Sequence, residues 1–207
     1  YPIAPLYTLA APNYNASIIS LAGINFIALE APTKNNFATF FHILADYKVT
    51  DLVRLTAEID NKRAGSFPYW NGRLDINSNS GGLIITVLNR EINYFPIDHW
   101  QNHQGINARK LLALVNAVKT SYIQGNKLIA VHCRAGVGRT GTFIAAYALL
   151  SEIDRQITAG IKITDVKISI DKIIWELSVQ RPFAVTHWQQ YVTLYKLVNL
   201  YMENLKT

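Results

Sequence analysis

Two rhythms of apolar and polar positions run through the chain. Asn13-Tyr14-Asn15-Ala16-Ser17-Ile18-Ile19 and Asn25-Phe26-Ile27-Ala28-Leu29 are short, rich in β-branched and aromatic residues, and separated by a turn at Gly23, which predicts two strands. Thr50–Thr56, Leu83–Leu88 and Arg90–Phe95 read the same way, the last two as antiparallel neighbours. The helical rhythm comes in between. Phe37, Phe40, Phe41 and Leu44 share one face of a segment over 35–44 that Thr33 can cap. From Asn107 to Gln124, Leu111, Leu112, Leu114, Val115 and Val118 make a second stripe, stopped by Gly125. Thr164-Asp165 reads as the cap of a further helix carrying Val166, Ile170, Ile173, Ile174 and Leu177. A last helix runs to about Leu205, with Tyr191, Leu194, Tyr195 and Val198 inward. Pro2, Pro5 and Pro12 make residues 1–12 an extended arm, and the Asn, Ser and Gly of 71–82 predict a turn or loop. No internal repeat, linker or second domain interrupts this order.

The most informative stretch is Val131-His132-Cys133-Arg134-Ala135-Gly136-Val137-Gly138-Arg139-Thr140-Gly141. It follows the apolar run Leu128–Val131, a buried strand, and precedes Thr142–Leu150, which has the Ala and Leu content of a helix. Strand, glycine-rich turn and helix together aim several backbone N–H groups at one point, with the positive end of the helix dipole behind them. An oxyanion such as phosphate fits there. The same field favours the Cys133 thiolate, so its pKa is expected below the free value of about 8.5. Arg139 offers a planar fork for two phosphate oxygens, and the Thr140 hydroxyl can donate to the sulfur. The residues specify a nucleophile, its activation and a clamp for the electrophile.

Composition narrows the picture. The chain has 207 residues, 50% of them hydrophobic and 16% charged, which is a globular balance with room for a large core. No apolar run approaches the roughly 18 residues of a membrane span. A net charge of +6 suits an anionic substrate; no long Lys/Arg run or nucleic-acid motif accompanies it, so nucleic acid is not the expected partner. The single cysteine excludes an internal disulfide, and a working thiol points to a reducing, cytoplasmic compartment. The chain opens on Tyr1 without a signal-peptide pattern and is read as a trimmed piece whose targeting information is absent. No His/Cys/Asp cluster offers a metal site, and no cofactor is expected.

His-Cys-(five residues)-Arg-Thr resembles the signature loop of cysteine-dependent protein tyrosine phosphatases. The strand pair at 13–29 is similar to the family's Tyr-Ile-Asn-Ala-Ser and Tyr-Ile-Ala-Thr-Gln-Gly-Pro strands. Gln180-Arg181-Pro182-Phe183-Ala184-Val185-Thr186-His187-Trp188-Gln189-Gln190-Tyr191 resembles the family's Gln-Arg-Pro-Gly-Met-Val-Gln-Thr-x-x-Gln-Tyr. The run from Glu58 through Asn61-Lys62-Arg63 to Tyr69-Trp70, with the loop itself, resembles bacterial secreted, Yersinia effector-like tyrosine phosphatases. The resemblance implies an α/β single domain, a central mixed twisted sheet with helices on both faces. It implies hydrolysis of phosphotyrosine in proteins through a cysteinyl phosphate on Cys133, with His132, Arg134, Ala135, Gly136, Val137 and Gly138 around the phosphate. Gln190, with Thr186 where the family has its first Gln, would place the hydrolytic water. Glu58 would hold Arg139; counting back from Trp70 makes Asp60 the competing position. The family's Lys-Asn-Arg-Tyr recognition loop has no counterpart, leaving Tyr7 or Tyr14 as stand-ins for its aromatic clamp. Where the family has Trp-Pro-Asp, two registers compete. Pro96-Ile97-Asp98-His99 supplies an acid, and Trp100-Gln101-Asn102 keeps the Trp but supplies an amide. Asp98 is the only carboxylate between Glu91 and Glu152, so the chemistry selects it as the general acid. A phosphoinositide or inositol phosphate phosphatase is the alternative enzyme, and the Asn102 register implies a catalytically poor phosphotyrosine-binding module. A bacterial effector working in a host cell fits the same motifs.

Overall fold

The computed structural model describes residues 14–60, 63–64, 66–69, 76–79, 82–121 and 127–206; the arm at 1–12, with Tyr7, lies outside them. Among the described residues nine strands and five α-helices follow in chain order: β1 Ala16–Leu21, β2 Ile24–Leu29, α1 Phe37–Asp46, β3 Asp51–Arg54, β4 Ile59–Asp60, β5 Arg63–Ala64, β6 Ile76–Asn79, β7 Gly82–Val87, β8 Arg90–Pro96, α2 Ala108–Thr120, β9 Leu128–His132, α3 Gly138–Thr158, α4 Ile170–Gln180 and α5 Trp188–Asn204. Seven strands form one sheet in the order β1-β2-β9-β3-β8-β7-β6, and β4 and β5 pair separately. β9 and β3 run parallel to their neighbours at the centre, and the two edges are antiparallel. The mixed sheet expected from the family resemblance is present.

Local chemistry explains the edges. The β1–β2 hairpin turns through Ala22 (φ 51°) and Gly23 (φ 76°), and β7–β8 turns through Leu88 (φ 46°) and Asn89 (φ 64°). Two successive positive φ values match the right-handed twist of the strands they join. β6 occupies part of the expected loop at 71–82; its Ile-Asn-Ser-Asn sequence pairs with β7 through the backbone, as an edge strand can.

Side-chain alternation splits the core between the two faces. Phe26, Val53, Leu55, Ile129, Val131 and Cys133 pack with α2–α5; Ile27, Leu52, Ile92, Tyr94 and Ala130 pack with α1. The helix of the signature stretch is buried on all sides from Gly138 to Leu150, because its residues there, apart from Arg139, are apolar or small around the whole circumference. Two helix starts and one helix face differ from the sequence reading. Asn36, not Thr33, is the N-cap of α1, and its Oδ1 accepts from the Thr33 N–H and hydroxyl. Thr164-Asp165 forms a short 3-10 turn, and Ser169 caps α4 by accepting from Lys172 N. On α5, Leu194 and Val198 are buried as expected, whereas Tyr195 is exposed and Tyr191 half-buried.

Candidate active site

Cys133 follows β9 at the carboxyl end of a central strand, and the chain turns at once into α3. The turn holds its shape through three anchors. Gly136 has φ +69°, and a Cβ there would lie 2.1 Å from Leu29 O, so only glycine fits between the loop and the end of β2. Ala31 N donates to Arg134 O at 2.8 Å. Arg181, buried, donates from Nε to Gly136 O (3.0 Å) and from Nη2 to Ala135 O (3.3 Å), while its Nη1 reaches Asn15 Oδ1 and Ser17 Oγ. Drawing the carbonyls outward leaves the N–H groups to converge inward. Those of Val137 and Thr140 point at the sulfur.

Burial acts to raise the Cys133 thiol, but the charge of Arg139, the Thr140 hydroxyl and the two backbone N–H groups outweigh it, and the net shift is downward. Thr140 is fully buried, and its hydroxyl is one of the groups that lower the Cys133 thiol. Arg139 is 1% exposed on the first turn of α3. These placements bring nucleophile, anion cradle and guanidinium to one point.

The loop after β8 closes onto the guanidinium. Arg139 donates from Nη1 to Trp100 O (2.8 Å) and from Nη2 to Asn102 Oδ1 (3.3 Å), and the buried Trp100 donates its Nε1–H to Gln104 O. Asn102 therefore stands where the loop faces the anion site. Asp98, expected there, is instead half-exposed, and its ion pair is with Arg54 Nη1 at 2.5 Å. The Trp100 indole is the loop's buried anchor, and two residues beyond it the chain carries the amide of Asn102. His103, at φ +64°, sets its ring 4.2 Å from that of His187 and its Nε2 3.0 Å from Asn102 Nδ2.

Other expectations divide. A Cβ on Gly138 would meet Thr186 Oγ1 at 2.9 Å and Gln190 Nε2 at 3.0 Å, so both residues overhang the start of α3. Gln190 is buried and accepts from His187 N; Thr186 is exposed and donates to Phe183 O. The His132 side chain faces the core, against Phe40 and Tyr69. It is fully buried, with Nε2 2.7 Å from Tyr69 Oη and Nδ1 3.1 Å from Cys133 O, and burial depresses its pKa to about 3. Glu58 is exposed and makes no bond to Arg139; the side chain of Asp60 lies outside the described atoms. Tyr14 is a packing residue that donates to Glu30 O. Sequence reasoning gave no role to Arg181, Tyr69 or Arg54. An Arg within the apolar run Leu52-Val53-Arg54-Leu55 was the available signal for the last.

The family model described as Protein-tyrosine phosphatase matches residues 9–94 and 86–200. The chain is 26% identical over 198 residues to receptor-type tyrosine-protein phosphatase eta of Gallus gallus, covering 84% of this chain and 13% of that protein. It is 26% identical over 178 residues to probable tyrosine phosphatase protein H4 of Microplitis demolitor bracovirus, covering 72% of this chain and 97% of that protein. With tyrosine-protein phosphatase 3 of Schizosaccharomyces pombe it shares 30% identity over 179 residues, 72% of this chain and 59% of that protein. The chain thus spans a small part of the receptor-type relatives, and these animal, viral and yeast proteins stand in place of the bacterial likeness suggested by the Glu58–Trp70 stretch.

Proposed function

The chain belongs to the protein-tyrosine phosphatase family, and we propose that it hydrolyses phosphotyrosine in proteins with Cys133 as nucleophile. The observation that carries this reading is the lowered thiol of Cys133 inside a cradle formed by the Val137 and Thr140 N–H groups and Arg139. The thiolate attacks phosphorus, the P–O bond to the tyrosine oxygen breaks, and the guanidinium and loop amides hold the three equatorial oxygens as charge develops on them. Water then attacks the cysteinyl phosphate, the P–S bond breaks and thiolate is regenerated, with Gln190 and Thr186 overhanging the site to place that water. Thr140 stabilises the departing sulfur.

The leaving phenolate is where this chain differs. Its conjugate acid has a pKa of about 10, so departure without a proton is costly at neutral pH. Asn102 has no acidic proton to give, and the Asp98 carboxylate is engaged by Arg54. Activated esters should therefore turn over far faster than phosphotyrosine. The Arg139–Asn102 contact also favours a second reading, a catalytically poor phosphotyrosine-binding module. A working thiolate requires a reducing compartment. Among the described residues no helix is long and apolar enough to cross a membrane.

Turnover of para-nitrophenyl phosphate, a phosphotyrosine peptide, a phosphoserine peptide and phosphoinositides, each with a Cys133→Ser control, tests the reading. Cysteine-dependent turnover of the activated ester and of phosphotyrosine is the expected result. Binding of phosphotyrosine without turnover selects the binding module, and preference for phosphoinositides selects the alternative enzyme.

A further inference from the structure

On the α1 face of the sheet, directly behind Cys133, lies a buried polar cluster that the phosphatase chemistry does not require. Arg54, 3% exposed, ends β3 beside His132 on β9. It donates from Nε to Tyr94 Oη (2.5 Å) and from Nη1 to both Thr56 O (2.5 Å) and Asp98 Oδ1 (2.5 Å). Tyr94 hydrogen-bonds Tyr69, and Tyr69 bonds His132 Nε2. Burying a guanidinium is costly unless it is paired and its donors are satisfied. A strand that only had to pack would carry an aliphatic residue here.

The chemistry of the groups fixes the direction of most of these bonds. His132 is neutral, and Nδ1 faces the Cys133 carbonyl, which can only accept; Nδ1 therefore carries the proton. Nε2 must then accept, so the Tyr69 hydroxyl donates to it. Arg54, which can only donate, supplies the Tyr94 oxygen beside Tyr69. A polar cluster thus links Arg54, Tyr94, Tyr69 and His132 to the Cys133 carbonyl. Its other end grips Asp98, which starts the loop whose tip Arg139 holds through Trp100 and Asn102.

We propose that Arg54 is a positioning residue and Asp98 its counter-ion and latch, together fixing the 97–105 loop and the Cys133 backbone relative to each other. The proposal rests on the phosphatase reading of the Cys133 cradle. Asp98 acts here by tying the loop down and transfers no proton.

Hydrogen exchange of the full chain, read at 97–105, tests the latch without reference to activity. Asp98→Asn and Arg54→Met should each speed exchange there by about 10–100-fold, the loss expected for one charged hydrogen bond. In parallel, kcat for para-nitrophenyl phosphate and for phenyl phosphate should fall by equal factors in Asp98→Asn, with KM little changed. The double variant should lose no more than Arg54→Met alone. Should Arg54→Met fail to fold, Asp98→Asn carries the test, because its side chain is half-exposed. A selective loss on phenyl phosphate would make Asp98 a proton donor and overturn the proposal, as would unchanged exchange at 97–105. Absence of turnover by the unsubstituted chain would refute the phosphatase reading and leave the exchange result to decide the latch.

Discussion

Two loops meet at Arg139, and they are built in opposite ways. The 133–139 loop presents mainly backbone: glycine at positive φ, carbonyls tied back by Arg181 and Ala31, N–H groups converging on sulfur. The loop of 97–105 presents side chains, held at its start by Arg54 and at its tip by Arg139. A backbone cradle constrains sequence tightly, since few residues can take its conformation. A loop that works through one side chain can shift that side chain by a few residues or lose it. The first loop therefore declares its chemistry in the sequence, and the second leaves two registers open.

Predictions follow this contrast from its strongest point. Gly136→Ala strikes the backbone loop where a Cβ would lie 2.1 Å from Leu29 O and at φ +69°. Overpacking plus left-handed strain should cost about 2–5 kcal/mol. Thermal unfolding should shift accordingly, with turnover lost before the fold; an unaltered enzyme would mean that the loop is slack.

Asn102→Asp sharpens the other side. It places an acid on the loop facing Arg139, and phosphotyrosine turnover should rise towards the 10²–10⁴-fold that a positioned acid contributes, with little change for an activated ester. No gain would show that the Asn102 position does not face the leaving oxygen.

Acid stability probes the network behind both loops. His132 titrates near 6.5 when unfolded and about 3 when folded, so the unfolded chain binds the extra proton first. Its contribution is present above about pH 6.5 and is lost as pH falls towards 3. Urea midpoints measured across that range should decline, and the slope should flatten in a His132→Gln variant that remains folded.

Glu58→Ala should be the mildest. The carboxylate is exposed and makes no bond to Arg139, so kcat/KM should change by less than about twofold, within the effect of an ordinary surface substitution. A large loss would restore Glu58 as the partner of Arg139.

What could be read from sequence follows the same division. The β9–loop–α3 unit and the α/β order were legible because motif spacing and apolar rhythm fix them, and Gln190 came from the resemblance of 180–191 to the family's stretch. Arg54 was read only as part of a strand: alternation says which face it takes, but its partners Tyr94, Tyr69 and Asp98 come from other parts of the chain. Glu58 was assigned by a match to the family's stretch and Asp98 as the only carboxylate between Glu91 and Glu152, and carboxylates in loops are bound by whatever cation the fold supplies. β6 escaped notice because an edge strand of Asn and Ser needs only its backbone to pair. The start of α4 went to Thr164-Asp165 because Ser169, four residues on, is an equally good cap.

The central claim is that Cys133 attacks phosphorus. Rapid acid quenching during turnover of para-nitrophenyl phosphate, followed by mass spectrometry of the peptide containing Cys133, tests it directly. The account predicts a transient gain of one phosphoryl group on that peptide, carried by sulfur and absent in Cys133→Ser. Sustained turnover with no phosphorylated Cys133 at any quench time, or turnover that survives Cys133→Ser, would contradict it.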